Sequence, residues 1–404
     1  MNPAPARSER LPRVLFAVEG NTDIRLVTLF ADVCDLTLLV PAEHYESSGL
    51  EDRVRRSGAA VRAEKIPGDR LRYQLASLRW LWRRAGDFEV ILAQEMLRGT
   101  LNAGLAGRRR RVPVLGYTCM PPLEYFRCRR LRGQPLLPAV LGQAVIRSLL
   151  AINGRLVTRC LALGAYLAEV ARRTCPNVEV AHYYGVDTDL YRPVPPDERA
   201  ALRARLGLPA DALLVFFASR VSHEKDPETA LRAVARVREQ GIPAVIINLG
   251  GGYREFIELG RALGLPDPGE WVLGRPAEHP MGGLERYFQA ADVLLQCSLE
   301  EGLGMTPLEA LACGTPAIAT RVGGLAATLP GHARLVPRRD VEAAVRELAW
   351  VHAHPEEARA EALRSRSFVE REHSRQAARR YWASEFLRAA GRPPDDNTLP
   401  RVQR

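Results

Sequence analysis

The stretch "SLEEGLGMTPLEALACGTP" (298–316) sets Glu301 and Glu309 on either side of a glycine loop and the start of a helix. The preceding "DVLLQCS" has strand character. "TPLEALACG" has helix spacing, with Thr306 as N-cap, Pro307 at the first helical position and Gly314 just past the end. A glycine loop feeding a helix N-terminus presents backbone N–H groups and a positive dipole end, which suits an anion and most often phosphate. Gly302 and Gly304 let the main chain come close to such a ligand. Carboxylates repel phosphate but accept hydrogen bonds from hydroxyls. A molecule with phosphate in its middle and polyol at both ends meets both demands, and a nucleoside diphosphate sugar has that shape. The spacing equally fits a plain arrangement, with Thr306 and Glu309 as a capping box and Glu301 as a solvated loop acid beside Glu300.

A second strand–loop–helix, "FFASRVSHEKDPETAL" (216–231), puts Arg220 at a strand end and Lys225 one residue ahead of the expected cap Asp226, with Pro227 opening the helix. A lysine beside a helix N-terminus opposes the dipole by roughly 0.3–1 kcal/mol. A bound anion would remove the conflict, and so would pairing with Glu224 or Asp226. Two cations and two helix starts at one sheet edge would neutralise a diphosphate.

The elements that must carry these loops are legible as alternating β-rich and amphipathic segments. Strands are expected at 13–19, 36–41, 60–66, 89–93, 112–117, 159–163 and 178–183, and again at 212–219, 244–250, 270–274, 292–298, 316–320 and 333–337. Continuous apolar strands separated by helices indicate parallel sheets covered on both faces. The expected fold is therefore α/β, two Rossmann-like domains facing each other across a cleft, because open α/β sheets bind ligands at their carboxyl ends. "YRPVPPDERA", with Pro193, Pro195 and Pro196, is expected as a stiff linker between them. The expected domains are 1–192, N-terminal and acceptor-binding; 193–370, C-terminal and donor-binding; 371–390, a helix crossing back to the first domain; and 391–404, a disordered tail.

A chain of 404 residues suits two domains rather than one core. Its 7 cysteines include no CxxC pair, which argues against a disulfide framework or zinc site and for a reducing cytosol. No signal-like apolar stretch precedes the first strand. The apolar run 136–152 contains Pro138, Gln143 and Arg147 and is too short and polar to span a bilayer. Net charge is +10, and residues 1–195 hold the whole excess, with 29 Lys+Arg against 19 Asp+Glu, while 196–404 hold 28 of each. The excess collects in "RLRYQLASLRWLWRRAG" (70–86), "RRRR" (108–111) and "RCRRLR" (127–132). Basic charge beside Tyr73, Trp80 and Trp82 suits an anionic membrane surface or nucleic acid. An arginine-rich composition with solvated helix faces has the same pattern.

Arg220-x4-Lys225 followed by "SLEEGLGMTPLEALACGTPAIATRVGG" resembles the retaining GT-B glycosyltransferases of glycosyltransferase family 4. "YYGVDTDLYRP", "NLGGGYREFIELGRALGL" and "YFQAADVLLQCSLEEG" fit the same family. The resemblance is close over about 160–390 and rests mainly on strand pattern before that. It implies transfer of a sugar from a nucleoside diphosphate sugar, with retention and without an essential metal or other cofactor, the nucleotide sugar being a co-substrate. It further implies a role in bacterial envelope polysaccharide or glycolipid synthesis, on a lipid-linked, sugar or polysaccharide acceptor. The expected location is cytoplasmic, peripheral on the inner face of the membrane. Carried over residue by residue, Arg220 and Lys225 would bind the donor diphosphate, Glu301 the donor sugar hydroxyls and Glu309 the ribose. The amides of Leu303, Gly304 and Met305 would meet phosphate. Gly250 and Arg275 would border the base, and Gly20, in the first-strand turn, would lie by the donor.

The chain departs from the family pattern at two points. "EGNTDIR" offers Gly20 alone where two glycines are usual, and Tyr117 or Cys119 stands where a histidine is expected. Acceptor deprotonation is therefore unassigned, with Glu95 and Asp23 as candidates by position. The triplet Asp187–Asp189 sits in a linker-like context, and His352 and His354 lack partner ligands at zinc spacing. Alternatives from other classes are a nucleotide-sugar epimerase or phosphorylase on the same scaffold, and a non-catalytic nucleotide-sugar or nucleic-acid binder. The glutamates speak against nucleic acid, which needs neither of them.

Overall fold

Every β-rich run picked out above is a strand, 7 in one sheet and 6 in another. The computed structural model describes residues 11–20, 22–121, 136–250, 252–276 and 283–392. The first sheet holds β1 (Arg13–Ala17), β2 (Asp35–Pro41), β3 (Val61–Ile66), β4 (Val90–Gln94), β5 (Val114–Thr118), β6 (Arg159–Leu163) and β7 (Val178–Ala181) in the order β3-β2-β1-β4-β5-β6-β7. The second holds β8 (Leu213–Phe217), β9 (Ala244–Leu249), β10 (Val272–Arg275), β11 (Val293–Gln296), β12 (Ala317–Thr320) and β13 (Arg334–Val336) in the order β10-β9-β8-β11-β12-β13. All strand pairs are parallel. Central strands such as Leu213–Phe217 are buried along their whole length, which is why they read as unbroken apolar runs.

In each sheet the strand order reverses beside the first strand, between β1 and β4 and between β8 and β11. Loops leaving the carboxyl ends there diverge to opposite sides and leave a crevice, the usual ligand position in such sheets.

The chain forms two units. Unit 1 contains β1–β7 and the segment from Arg375 on, and unit 2 runs from Gly185 to Ser374. The division at Tyr184/Gly185 precedes the expected boundary at 192/193. Residues 185–192 are bonded into unit 2: the Arg366 guanidinium donates to the Thr188 carbonyl at 2.9 Å and the Tyr191 carbonyl at 2.8 Å. The proline-rich stretch is accordingly no linker. Pro195 caps, and Pro196 opens, the Pro196–Arg205 helix inside unit 2. The Val186 N–H donates to the His373 carbonyl at 2.7 Å, so the two strands of chain that leave unit 2 run side by side.

The Arg375–Ala389 helix closes the core of unit 1. Trp382 is fully buried, edge-on to Phe30 at 4.8 Å and to Tyr117 at 5.5 Å, and its indole N–H donates to the His182 carbonyl at 3.1 Å. The segment expected as a tail lies, from 393 on, outside the described residues. Trp382→Ala is expected to destabilise unit 1 by about 3–5 kcal/mol. Hydrogen exchange followed by mass spectrometry should show protection lost over β1, β5 and β7 but kept over β8–β12. Equal loss in both units would contradict this account of the helix.

Candidate functional site

Six apolar, parallel strands bring the loop after β8 and the loop after β11 to the crevice of unit 2, and the residues singled out in the sequence meet there. Arg220 leaves the end of β8 with its side chain largely in solvent, 3.5 Å from Glu224. A 3-10 turn, His223–Lys225, follows. Asp226 caps the Pro227–Glu239 helix as expected, and its carboxylate accepts from the Thr229 hydroxyl at 2.6 Å. Lys225 pairs with neither Glu224 nor Asp226. Its ammonium donates to Glu301 Oε2 at 2.5 Å across the crevice, with both side chains only 15% exposed. Glu301 is therefore no solvated loop acid. Its Oε2 also accepts from Gln296 at 2.9 Å, and Oε1 accepts from the Gly302 N–H at 3.3 Å. The Leu299 N–H donates to the Glu224 carbonyl at 2.8 Å and binds the two loops together by main chain as well. Burial pushes the Glu224 carboxyl up, but its own amide, Ser222, Arg220 and Lys225 outweigh that and hold it below the usual carboxylate range.

The expected capping box does not form. The helix runs Met305–Ala312, and its N-cap is Gly304, at φ 91. Thr306 is thus already inside the first turn, and its hydroxyl donates to Gln296 Oε1 at 2.6 Å instead of capping. The helix starts early because Gly304 accepts a left-handed backbone that brings the loop against the next helix. A Cβ there would stand 2.3 Å from Leu325 Cδ2. Likewise, a Cβ on Gly324 would meet the Gly302 carbonyl at 2.0 Å, and the Gly324 N–H donates to the Glu301 carbonyl at 2.9 Å. The amides of Leu303, Gly304 and Met305 thus lie at a helix start held by close main-chain packing. Glu309, one turn further on, is 2% exposed.

Gly250 follows β9 at φ 101, and its N–H donates to the Arg275 carbonyl at the end of β10, at 2.9 Å. Arg275 itself turns away from that edge: its guanidinium donates to the carbonyls of Leu206 and Gly207, which end the Pro196–Arg205 helix. Its main chain, not its charge, borders the strand end. Gly20 belongs to unit 1, in the turn after β1, with open space where a Cβ would stand. Asp23 is the N-cap of the Ile24–Ala31 helix and pairs with Arg25 at 2.9 Å. Asp187 accepts from the N–H groups of Asp189 and Leu190, both at 3.2 Å, which makes the triplet a local turn. The basic run 127–132 lies outside the described residues.

Sequence reasoning missed the polar residues that hold this arrangement. Gln296 and Ser298 are buried in and after β11 and link Thr306 to Glu301. Asn248 is buried in β9 and donates to the carbonyls of Phe217 and Ser219 at 2.9 and 2.8 Å, fixing the exit of β8. The available signal was a polar side chain interrupting an apolar strand, since such a group needs a partner when buried. A cavity lined by His332, Arg334, Glu361 and Arg364 lies at the amino ends of β12 and β13 and takes no part in this constellation.

Comparison with known proteins shows which families the chain is similar to. Residues 198–366 match the family model for glycosyl transferases group 1. The chain is 37% identical over 187 residues to a D-inositol 3-phosphate glycosyltransferase of Saccharomonospora viridis, covering 43% of this chain and 41% of the relative. It is 32% identical over 258 residues to one of Catenulispora acidiphila, covering 60% and 58%. The chain therefore spans about two fifths to three fifths of the length of these curated relatives. Among solved structures, Anabaena HepE in complex with UDP-glucose superposes with a TM-score of 0.72 at 17% identity, covering 93% of this chain and all of that one (100%). WaaG, a glycosyltransferase involved in lipopolysaccharide biosynthesis, superposes with a TM-score of 0.67 at 14% identity, covering 94% and 100%. Residues 198–366, which include those of the second crevice, are thus similar to glycosyl transferases group 1, and the fold shared along nearly the whole chain with these solved glycosyltransferases is the GT-B fold.

Proposed function

We propose that this chain transfers a sugar from a nucleoside diphosphate sugar to a hydroxyl acceptor with retention of configuration. The observation that carries this reading is the Lys225–Glu301 pair, set between two loops beside a glycine-capped helix start. An ammonium has three donors, so Lys225 can keep Glu301 and still donate to phosphate. Arg220, exposed and 3.5 Å from its only slightly competing neighbour Glu224, swings to the second phosphate. The amides of Leu303, Gly304 and Met305 supply further donors where charge grows on the leaving diphosphate, and donors so placed contribute roughly 2.7–4 kcal/mol each in other enzymes. Glu301 takes donor sugar hydroxyls and Glu309 the ribose. With the diphosphate charge met by side chains and amides, this site proceeds without a metal. The relatives are named for D-inositol 3-phosphate, which makes it the first acceptor to try, and the UDP-glucose bound to Anabaena HepE makes UDP-sugars the first donors.

A thermal-shift screen across UDP-, GDP-, ADP- and dTDP-sugars should reveal the donor, since a ligand at about 100 times its dissociation constant adds roughly 2.7 kcal/mol of stability. Lys225→Ala and Glu309→Ala should each abolish transfer and the donor-induced shift while circular dichroism stays native. Gly304→Ala should weaken donor binding by at least about tenfold, because both its φ and its Leu325 contact forbid a Cβ. Near-normal turnover in Lys225→Ala would remove the site assignment.

A second observation favours an anionic membrane as the place of action. The Arg70–Arg84 helix buries Tyr73, Ser77 and Leu81 and turns Leu71, Leu75 and Trp82 to solvent among Arg72, Arg79 and Arg83. Arg109, on the adjoining Arg98–Arg110 helix, stands 5.4 Å from the Trp82 ring. The Leu136–Leu156 helix exposes Leu141 and Val145. Among the described residues no helix is long and apolar enough to cross a membrane. Apolar side chains ringed by arginine insert at the headgroup level, each arginine adding about 1 kcal/mol near an anionic surface. Such a surface would present a lipid-linked acceptor of envelope synthesis to unit 1. The protein should co-sediment with phosphatidylserine-containing vesicles and far less with phosphatidylcholine alone, and Leu71→Ser with Leu75→Ser should cut that binding at least about fivefold. Equal binding to both vesicles would overturn the membrane reading and leave the donor site untouched.

A further inference from the structure

β11 closes on a polar residue. Val293, Leu294 and Leu295 are buried apolar side chains, and Gln296 is buried with them at the strand end. An amide withdrawn from water costs free energy unless its groups are bonded. Gln296 bonds three ways. Its Oε1 accepts from the Thr306 hydroxyl at 2.6 Å, and its Nε2 donates to Glu301 Oε2 at 2.9 Å and to the Ser298 hydroxyl at 3.2 Å. The partners set which way the amide points. A carboxylate only accepts, so the NH₂ end faces Glu301 and the oxygen faces the donating Thr306 hydroxyl. Thr306 can serve in this way because Gly304 caps the helix in its place. Ser298 is fixed in turn: it is fully buried, and its carbonyl accepts from the Thr320 hydroxyl at 2.6 Å.

These bonds make the two oxygens of Glu301 unequal. Oε2 accepts from the Lys225 ammonium at 2.5 Å, from Gln296 at 2.9 Å and from the Ser298 hydroxyl at 3.5 Å. Among the described residues Oε1 accepts from the Gly302 N–H alone, at a longer 3.3 Å. A carboxylate offers about four lone-pair sites, two on each oxygen. Oε2 is filled, and Oε1 keeps one to spare. Every residue of this network lies in unit 2.

We propose that Gln296 is a positioning residue for the donor sugar: by holding Oε2 of Glu301 it leaves Oε1 to accept one hydroxyl of the sugar that is transferred, and so helps set which sugar is taken. This rests on the transferase reading. Gln296 touches no substrate and acts through Glu301. Lys225 does not fix the carboxylate by itself, because an ammonium is a point charge with rotatable donors and the terminal torsion of a glutamate is broad. The planar amide, oriented by Thr306, adds the second direction that stops the carboxylate from turning.

The test uses the full chain, the donor identified by thermal shift, its monodeoxy-sugar analogues and the matching nucleoside diphosphate. In the wild type, one of the deoxy positions should lower kcat/KM at least about tenfold, the cost of losing a hydrogen bond to a charged group. In Gln296→Leu, kcat/KM for the full donor should fall about 10–100-fold, and the same deoxy position should then cost less than about threefold, because the contact is already lost. The nucleoside diphosphate should bind both proteins within about twofold, since its contacts do not run through Gln296. Thr306→Val removes the hydroxyl that orients the amide and should shift both figures in the same direction, while Thr306→Ser keeps the hydroxyl and should restore them. The Thr306 pair decides the matter if Gln296→Leu does not fold. A merely structural role would weaken diphosphate and sugar binding alike and leave the deoxy penalty at its wild-type size. Either of those results, or kcat/KM kept within about twofold in Gln296→Leu, or a wild type indifferent to every deoxy position, overturns the inference alone. Absence of any donor shift or turnover in the wild type overturns the transferase reading and this inference with it.

Discussion

One ion pair organises the second unit. Lys225 and Glu301 stand 76 residues apart in the chain, and they meet because the order of the sheet reverses between β8 and β11. Each charge is largely withdrawn from water, and neither could be so placed alone, since an uncompensated charge in a partly buried setting is strongly unfavourable. The pair draws the two loops over the crevice, and the glycine-capped helix start beside it adds main-chain donors. The result is an edge on which side-chain and main-chain donors are held in place. Preorganisation of this kind is what makes electrostatic stabilisation of a leaving group effective, because little reorganisation is needed when charge develops.

The same topology gathers different residues in unit 1. Its reversal lies between β1 and β4, and instead of a lysine and a glycine loop it presents a strained Glu95–Met96 turn against a thiol. The strain is maintained by ordinary means: Gly116, which makes room for Met96, and buried Asn153, which spans two carbonyls. A doubly wound sheet therefore determines where polar loop residues gather, and the loop sequences determine which groups meet there.

Much of this was legible in the residues. Strand identity followed from apolar runs, because a parallel strand covered on both faces has no polar side to show. The glycine loop and the helix start were visible in Gly302, Gly304 and the Asp226–Pro227 pair, since few residue types suit those backbone positions. Thr306 misled because its spacing to Glu309 satisfies a capping box, yet the helix begins two residues earlier once Gly304 turns left-handed against Leu325. The prolines at 193–196 misled because composition alone does not tell a linker from a helix start, and Arg366 binds the preceding residues into unit 2.

By itself the sequence determined the local terms: which segments are strands, which turns need glycine, where a helix starts after Asp226, and that the basic excess lies in the first half. Those are properties of residues near one another along the chain. Tertiary structure alone decided the partners: Lys225 with Glu301 rather than its neighbours, Gln296 between Thr306 and Glu301, Arg275 turned to a helix end, and Glu95 against Cys119. The physical reason is distance. Hydrogen bonds and ion pairs act over a few ångströms, and which groups come that close is set by the order of strands in the sheets and by side-chain packing, neither of which is written in the spacing of residues along the chain.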